Sequence, residues 1–195
     1  GGLLTDLNTI LWYMQIGIVN FAKLIPLTMV LALGLGTIVG ILQSVKIPFV
    51  YHILWSYTAI MRGVPPLIWL LLVFYSLRIG FLENPFTVAT VALTFYEGAY
   101  IAEIIRGGIK AIPEGQFEAA DSLGLHLHQK FIYAILPQAW RQSLPALAGQ
   151  FMNVIKDSVL VSAIGVTEVL YTAREATAQV YRPLITYLFV GVFFY

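Results

Sequence analysis

The sequence predicts an all-α integral membrane protein of about five membrane-crossing helices, and three observations lead there. Hydrophobic residues make up 59% of the 195 residues and charged residues only 11%, against roughly 25% charged in a soluble domain. Mean hydropathy is +0.82, so a water-soluble fold of this length has too little polar surface to cover its apolar side chains. Several apolar runs approach the ~20 residues needed to cross a hydrocarbon core, which makes lipid the solvent for most of the chain. The length fits one domain, 1–195.

Gly1 to Ile10 holds Asp6 but no Lys or Arg, so it lacks the basic start of a cleavable secretory signal and is expected to be part of the mature chain. The first span is expected over 18–42. Within it Ala32, Gly36 and Gly40 recur every four residues, placing three small side chains on one helix face for close packing. The second span, 50–77, is interrupted by Arg62-Gly63-Val64-Pro65-Pro66. Two prolines there remove backbone donors, and a membrane tolerates that only where protein or water covers the freed groups, so the break is expected to face the interior of an assembly. A short loop with Arg78, Glu83, Asn84 and Pro85 leads to a third span, 86–109.

From Arg106 to Lys130 the character changes, and a loop is expected over 110–140. Arg106, Lys110, Glu114, Glu118, Asp121, His126, His128 and Lys130 are spaced among apolar residues, an amphipathic pattern that belongs in water or against another protein. A fourth span is expected over 144–165, followed by a polar loop with Glu168, Arg174, Glu175 and Arg182. The fifth, 183–195, is incomplete as a crossing, since so short a helix rises only ~20 Å against a ~30 Å core. With the 110–140 segment inside, the cytoplasmic side holds Lys46, Arg106, Lys110, Lys130 and Arg141 and the outside holds Arg78, Arg174 and Arg182. That bias predicts an external N-terminus.

Composition excludes several chemistries. The chain has no cysteine, which removes disulfides, thiolate metal sites and cysteine nucleophiles. A net charge of +1 is far from the basic balance of a nucleic-acid binder. No glycine-rich phosphate loop ending in Gly-Lys-Ser/Thr occurs, so the chain is not itself an ATPase. His126 and His128, two apart in an amphipathic segment, would point in different directions on a helix and make a poor metal pair; no metal is expected.

The most specific signal is Glu114-Gly115-Gln116-Phe117-Glu118-Ala119-Ala120-Asp121-Ser122-Leu123-Gly124, followed by Ile135-Leu136-Pro137. Glu118-Ala119-Ala120 favours a helix and Gly124 is placed to end it. The stretch resembles the "EAA" loop of bacterial ABC import permeases. Around it, Gly98 to Ile109, Arg62-Gly63-Val64-Pro65-Pro66-Leu67 and Lys156-Asp157-Ser158-Val159-Leu160 are similar to segments of the polar amino-acid branch of that family. Val64 and Pro66 stand where that branch has Thr and Leu, and Ser158 and Val159 where it has Thr and Ser.

The resemblance implies a type I importer-like fold, with a cytoplasmic coupling helix between the third and fourth spans. It also implies the function: the transmembrane permease subunit of an ATP-driven importer for polar or charged amino acids in the bacterial plasma (inner) membrane, working by alternating access. Glu114, Gln116, Glu118, Ala119, Ala120 and Gly124 would then couple it to a dimer of ABC ATPase subunits, which bind ATP and Mg in its place. A second permease subunit, identical or homologous, and an external amino-acid-binding protein complete the implied partners. A passive channel or a membrane scaffold explains the hydrophobicity equally but not the Glu-Ala-Ala and Leu-Pro spacing.

Substrate-path candidates come from polar residues inside the spans. At 100° per residue, Ser143, Gln150, Asn153 and Asp157 fall within an arc of about 80°. This stripe is either an interhelical hydrogen-bond network, with Lys156 beside Asp157, or part of a passage. Glu97, between Tyr96 and Tyr100 near the middle of the third span, is either half of an ion pair with Lys156 or Lys23 or a site for a substrate ammonium or guanidinium. Glu103 and Arg106, three apart, are expected to pair on one helix face.

Overall fold

The computed structural model describes residues 2–77 and 83–195; Arg78, counted above among the external cations, lies outside the described residues. Among the described residues every regular element is a helix. Helix α1 (Leu3–Val45) runs for 43 residues through Pro26. It starts well before Ile18, because Asp6, Asn8 and Gln15 interrupt an apolar run without interrupting i→i−4 hydrogen bonding. The expected second span is two helices, α2 (Pro48–Gly63) and α3 (Pro66–Leu77). Each opens on a proline, whose missing N–H costs nothing in a first turn. Helix α4 (Pro85–Lys110) matches the third span closely.

The 110–140 segment is mostly helical. It contains α5 (Glu114–Ser122), a short α6 (Leu127–Gln129) and a π-helical stretch, Lys130–Ile135. Helix α7 (Leu136–Asp157) then starts before the expected fourth span and passes into a 3-10 stretch, Ser158–Ile164. Pro137 has no N–H to close an α-turn, and the wider π-turn ahead of it gives its ring room. The expected polar loop after 165 holds a further helix, α8 (Val169–Val180), before α9 (Pro183–Phe194). By length and composition α1 and α4 each suffice to cross a membrane, as do α2 and α3 counted as one broken span.

The chain divides into two compact units. The first holds Gly1–Val30, Pro65–Leu93 and Asn153–Tyr195. One of its cores packs Leu24, Leu70, Val73, Val88, Ala92 and Ile164 together, with the Trp69 indole donating to the Ala92 carbonyl at 2.8 Å. Another packs Ile10 and Met14 of α1 with Val169, Ala173 and Ala176 of α8 and Val190 of α9. Polar ties hold the rim: Arg182 Nε to Asp6 Oδ2 at 2.6 Å and Asn20 Nδ2 to the Thr167 carbonyl at 2.8 Å.

The second unit holds Leu31–Val64 and Thr94–Met152. Here the Ala32-Gly36-Gly40 face of α1 meets α4 as the spacing predicts. A Cβ on Gly36 would lie 2.6 Å from Ile101 Cβ and 2.7 Å from the Gly98 carbonyl oxygen, and one on Gly40 2.6 Å from the Ala102 oxygen. Glycine is therefore what lets the two backbones touch. Ala32, Ile101, Ile105, Ile109, Phe131, Ile135 and Leu147 form the core around that contact. Many large apolar side chains stay on the outside, among them Val30, Trp55, Tyr75, Leu184 and Val192, as expected where lipid is the solvent.

Glu168 caps α8. Its two carboxylate oxygens accept from Leu170 N and Tyr171 N, both at 2.9 Å, and the side chain is fully buried. Burial outweighs these hydrogen bonds and the nearby Arg174, and pushes its pKa up from 4.5 to about 7. A raised carboxyl pKa favours the protonated form in the fold, so the stability it lends is complete below the unfolded value and is lost as pH rises through about 7. Thermal unfolding of the detergent-purified protein is expected to show wild type losing up to about 3 kcal/mol between pH 4.5 and 8 relative to Glu168→Gln. Parallel pH profiles for the two proteins would contradict this.

Candidate functional site

Helix α5 forms as its residues dictate and stops where Gly124 stands. Gly124 has φ +69°, a left-handed conformation that costs other L-residues roughly 1–2 kcal/mol. It closes a paired cap: Gly124 N donates to the Asp121 carbonyl at 2.9 Å and Leu125 N to the Ala120 carbonyl at 3.3 Å, the 5→2 and 6→1 bonds of a Schellman turn. Ala120 is the buried residue of this helix, whereas Glu114, Gly115, Gln116, Glu118, Ala119 and Leu123 are exposed. One alanine therefore seats the helix and the other lies on its free face.

Two side-chain ties fix α5 within its unit. Gln138 Nε2 donates to Gln116 Oε1 at 3.0 Å and to the Ala134 carbonyl at 2.8 Å, joining α5 to the start of α7. Asp121 pairs with Lys130 at the other end. His126 and His128 depart from the expectation of divergent side chains: their rings stack with centroids 6.1 Å apart and planes within 10°. The reason is local. His126 is extended, with ψ 157°, and caps α6 through a reciprocal bond with Gln129, so the two histidines do not share a helix. Among the described residues, no group of three or more His, Cys, Asp or Glu is placed to hold a metal.

Polar residues of α4 form a second feature of the same unit. Glu97 is fully buried and accepts from Gln150 Nε2 of α7 at 2.5 Å. Beside it in the chain, the Tyr96 and Tyr100 hydroxyls are 3.2 Å apart. The Arg62 guanidinium lies over the Tyr100 ring, 5.9 Å from its centroid, and its Nη1 reaches Glu103 Oε2 at 3.1 Å. Arg106 grips the same carboxylate in two-point fashion, Nη2 to Oε2 at 2.6 Å and Nε to Oε1 at 3.1 Å. Glu103 is thus shared by an arginine on its own helix and one from the end of α2. The i,i+3 spacing predicts the first partner; only the fold brings the second, though an arginine inside a proline break was its signal.

The predicted stripe on α7 divides. Ser143 and Gln150 are buried and bond to α4, Ser143 Oγ to the Ile104 carbonyl at 3.4 Å. Asn153 is exposed and Asp157 half-buried, and both belong to the other unit.

Comparison with known proteins gives a consistent result. The family of binding-protein-dependent transport system inner membrane components matches residues 9–195. The arginine transport system permease protein ArtQ of Bacillus subtilis (strain 168) is 33% identical over 182 residues, covering 92% of this chain and 83% of that one. The glutamine transport system permease protein GlnP of Escherichia coli (strain K12) is 33% identical over 184 residues, 91% and 84% of the two chains. Among solved structures, an amino acid ABC transporter crystallised with histidines superposes with TM-score 0.86 at 30% identity, covering all of this chain and 91% of that one. The methionine ABC transporter MetNI, inward-facing, shares the fold at TM-score 0.81 and 19% identity, covering 94% of this chain and 90% of that one.

The shared carboxylate supplies a test of the geometry. Glu103→Ala leaves the partly buried Arg106 and the exposed Arg62 without their acceptor and is expected to lower stability by about 1 kcal/mol, read as a drop in detergent melting temperature. Arg106→Lys, which keeps the charge but loses the two-point grip, should fall between wild type and Glu103→Ala.

Proposed function

Since the chain belongs to the family of binding-protein-dependent transport system inner membrane components, we propose that it is the transmembrane permease subunit of an ATP-driven amino-acid importer. The observation that carries this is the likeness along the whole chain to an amino acid ABC transporter. The permeases named for arginine and glutamine extend it to polar and charged amino acids. ATP and Mg belong to a partner ATPase pair, and a second permease subunit and an external amino-acid-binding protein complete the complex in this reading.

Helix α5 is the coupling element. Its exposed Glu114, Gln116, Glu118 and Ala119 offer a small, acidic face to the ATPase, and its ties through Gln116 and Asp121 pass a push on that face into α7. The crossings are the five expected spans, in a bacterial inner membrane with the N-terminus outside and the 110–140 segment in the cytoplasm. ATP binding and hydrolysis switch the paired permeases between outward-open and inward-open states, and only unequal affinity in those states lets hydrolysis move substrate uphill. Glu97, Tyr100, Gln150, Asn153 and Asp157 supply that inequality. Glu97 exchanges the Gln150 amide for a substrate ammonium or guanidinium when the path opens.

Two measurements test this. In proteoliposomes, Gly124→Leu is expected to keep the helical signal but drop hydrolysis stimulated by loaded binding protein at least about tenfold, through loss of the left-handed turn. Undiminished stimulation would end the coupling assignment. Glu97→Gln is expected to cut uptake of a cationic amino acid by about tenfold or more, since a hydrogen bond to a charged group is worth about 1.5–3 kcal/mol. Full uptake with unaltered competition between amino acids would remove Glu97 from the path.

A further inference from the structure

A cavity of about 430 Å³ opens in the second unit, between the ends of α1 and α4, the start of α2, and α5. Lys46, Arg106 and Lys110 line it, with Glu114 as the acidic member. Arg106 is paired with Glu103, which Arg62 shares, and Lys46 and Lys110 against Glu114 still leave the lining with a net positive balance. Two helix C-termini, worth roughly half a negative charge each, do not cancel it.

Gln43 lines the same cavity. It is 1% exposed, its Nε2 is committed to Thr58 at 3.1 Å, and its Oε1 is buried with no hydrogen-bond partner. Thr58 donates its own hydroxyl to the Trp55 carbonyl at 3.1 Å, so the amide is oriented by that chain of bonds and Oε1 stays an acceptor. A ligand that fits must combine an anion for the lysines with a hydroxyl or N–H for Gln43 Oε1. The remaining wall sets Ser44, whose hydroxyl donates to the Gly40 carbonyl, and Tyr51 beside the apolar Ile109, Ile112, Phe117 and Phe131, and Ile47 and Phe49, close to Lys46 in sequence, are exposed.

We propose that this cavity binds a phosphoglycerol anion, supplied by the headgroup of an anionic phospholipid of the cytoplasmic leaflet. The phosphate sits against Lys46 and Lys110, and a glycerol hydroxyl donates to Gln43 Oε1. Basic pockets between helix ends on the cytoplasmic side hold such headgroups, and the exposed Ile47 and Phe49 give the acyl chains a place to lie. The assignment rests on the cytoplasmic placement of 110–140 proposed above. Because Glu114 and Phe117 of α5 line the cavity, a bound headgroup steadies the coupling helix.

The test uses the assembled complex in nanodiscs of mixed phosphatidylglycerol and phosphatidylcholine. Native mass spectrometry after detergent extraction is expected to show phosphatidylglycerol retained on wild type at least about tenfold over the Lys46→Gln/Lys110→Gln double variant. The Lys46→Arg/Lys110→Arg variant should retain it like wild type, which separates lost charge from lost folding. Equal retention by wild type and the glutamine variant overturns the proposal. Wild type that binds free glycerol 3-phosphate in pure phosphatidylcholine discs, with no preference for phosphatidylglycerol, overturns the lipid as source. Charge-dependent retention in a complex that fails to transport in any lipid supports the site and counts instead against the importer assignment.

Discussion

Inside lipid there is no water to pair with a buried polar group, so each such group needs a partner within the protein. Helix α4 bears the marks of that constraint. Glu97 is fully buried and bound by Gln150 of α7, Glu103 is shared by Arg62 and Arg106, and the Phe95 carbonyl accepts from the Tyr57 hydroxyl at 2.6 Å. Each bond ties α4 to another helix or to its own next turn. The α1 contact through Gly36 and Gly40 adds close backbone packing, where lipid offers little hydrophobic drive to hold helices together. Polar pairing and small residues thus do in this unit what apolar burial does in a soluble core.

The same constraint explains why the functional candidates sit where they do. In the proposed path, a carboxylate paired while the path is shut would be offered to a substrate cation when its partner withdraws, which would turn a costly buried group into a binding group. In the segment proposed to lie outside the lipid the logic reverses. Helix α5 leaves most of its polar residues exposed and anchors itself through buried Ala120 and two side-chain ties. A helix held that lightly against its neighbours keeps a face open, and the fixed ends are what the proposed coupling role needs in order to pass displacement on.

Much of this was legible in the residues. The apolar runs gave the helical class, the Ala32-Gly36-Gly40 spacing gave the α1 face that meets α4, and Gly124 gave the end of α5. These are local properties: helical periodicity, side-chain size and left-handed backbone cost act over a few residues. Helix boundaries were less legible, because a hydropathy run marks lipid contact and not hydrogen bonding. Hence α1 extends upstream of Ile18, and α8 occupies a stretch whose charges suggested a loop.

What the sequence by itself determined is the solvent, the helical class, the position of the α5 stop and the Glu103–Arg106 pair, since each depends on composition or on neighbours within one turn of helix. Only the tertiary structure decided that Arg62 shares Glu103, that Gln150 is the residue bonded to Glu97, and that His126 and His128 stack. Those choices join residues far apart in the chain or depend on a backbone bend, and no spacing rule encodes which of several polar residues on facing helices will meet at the same depth.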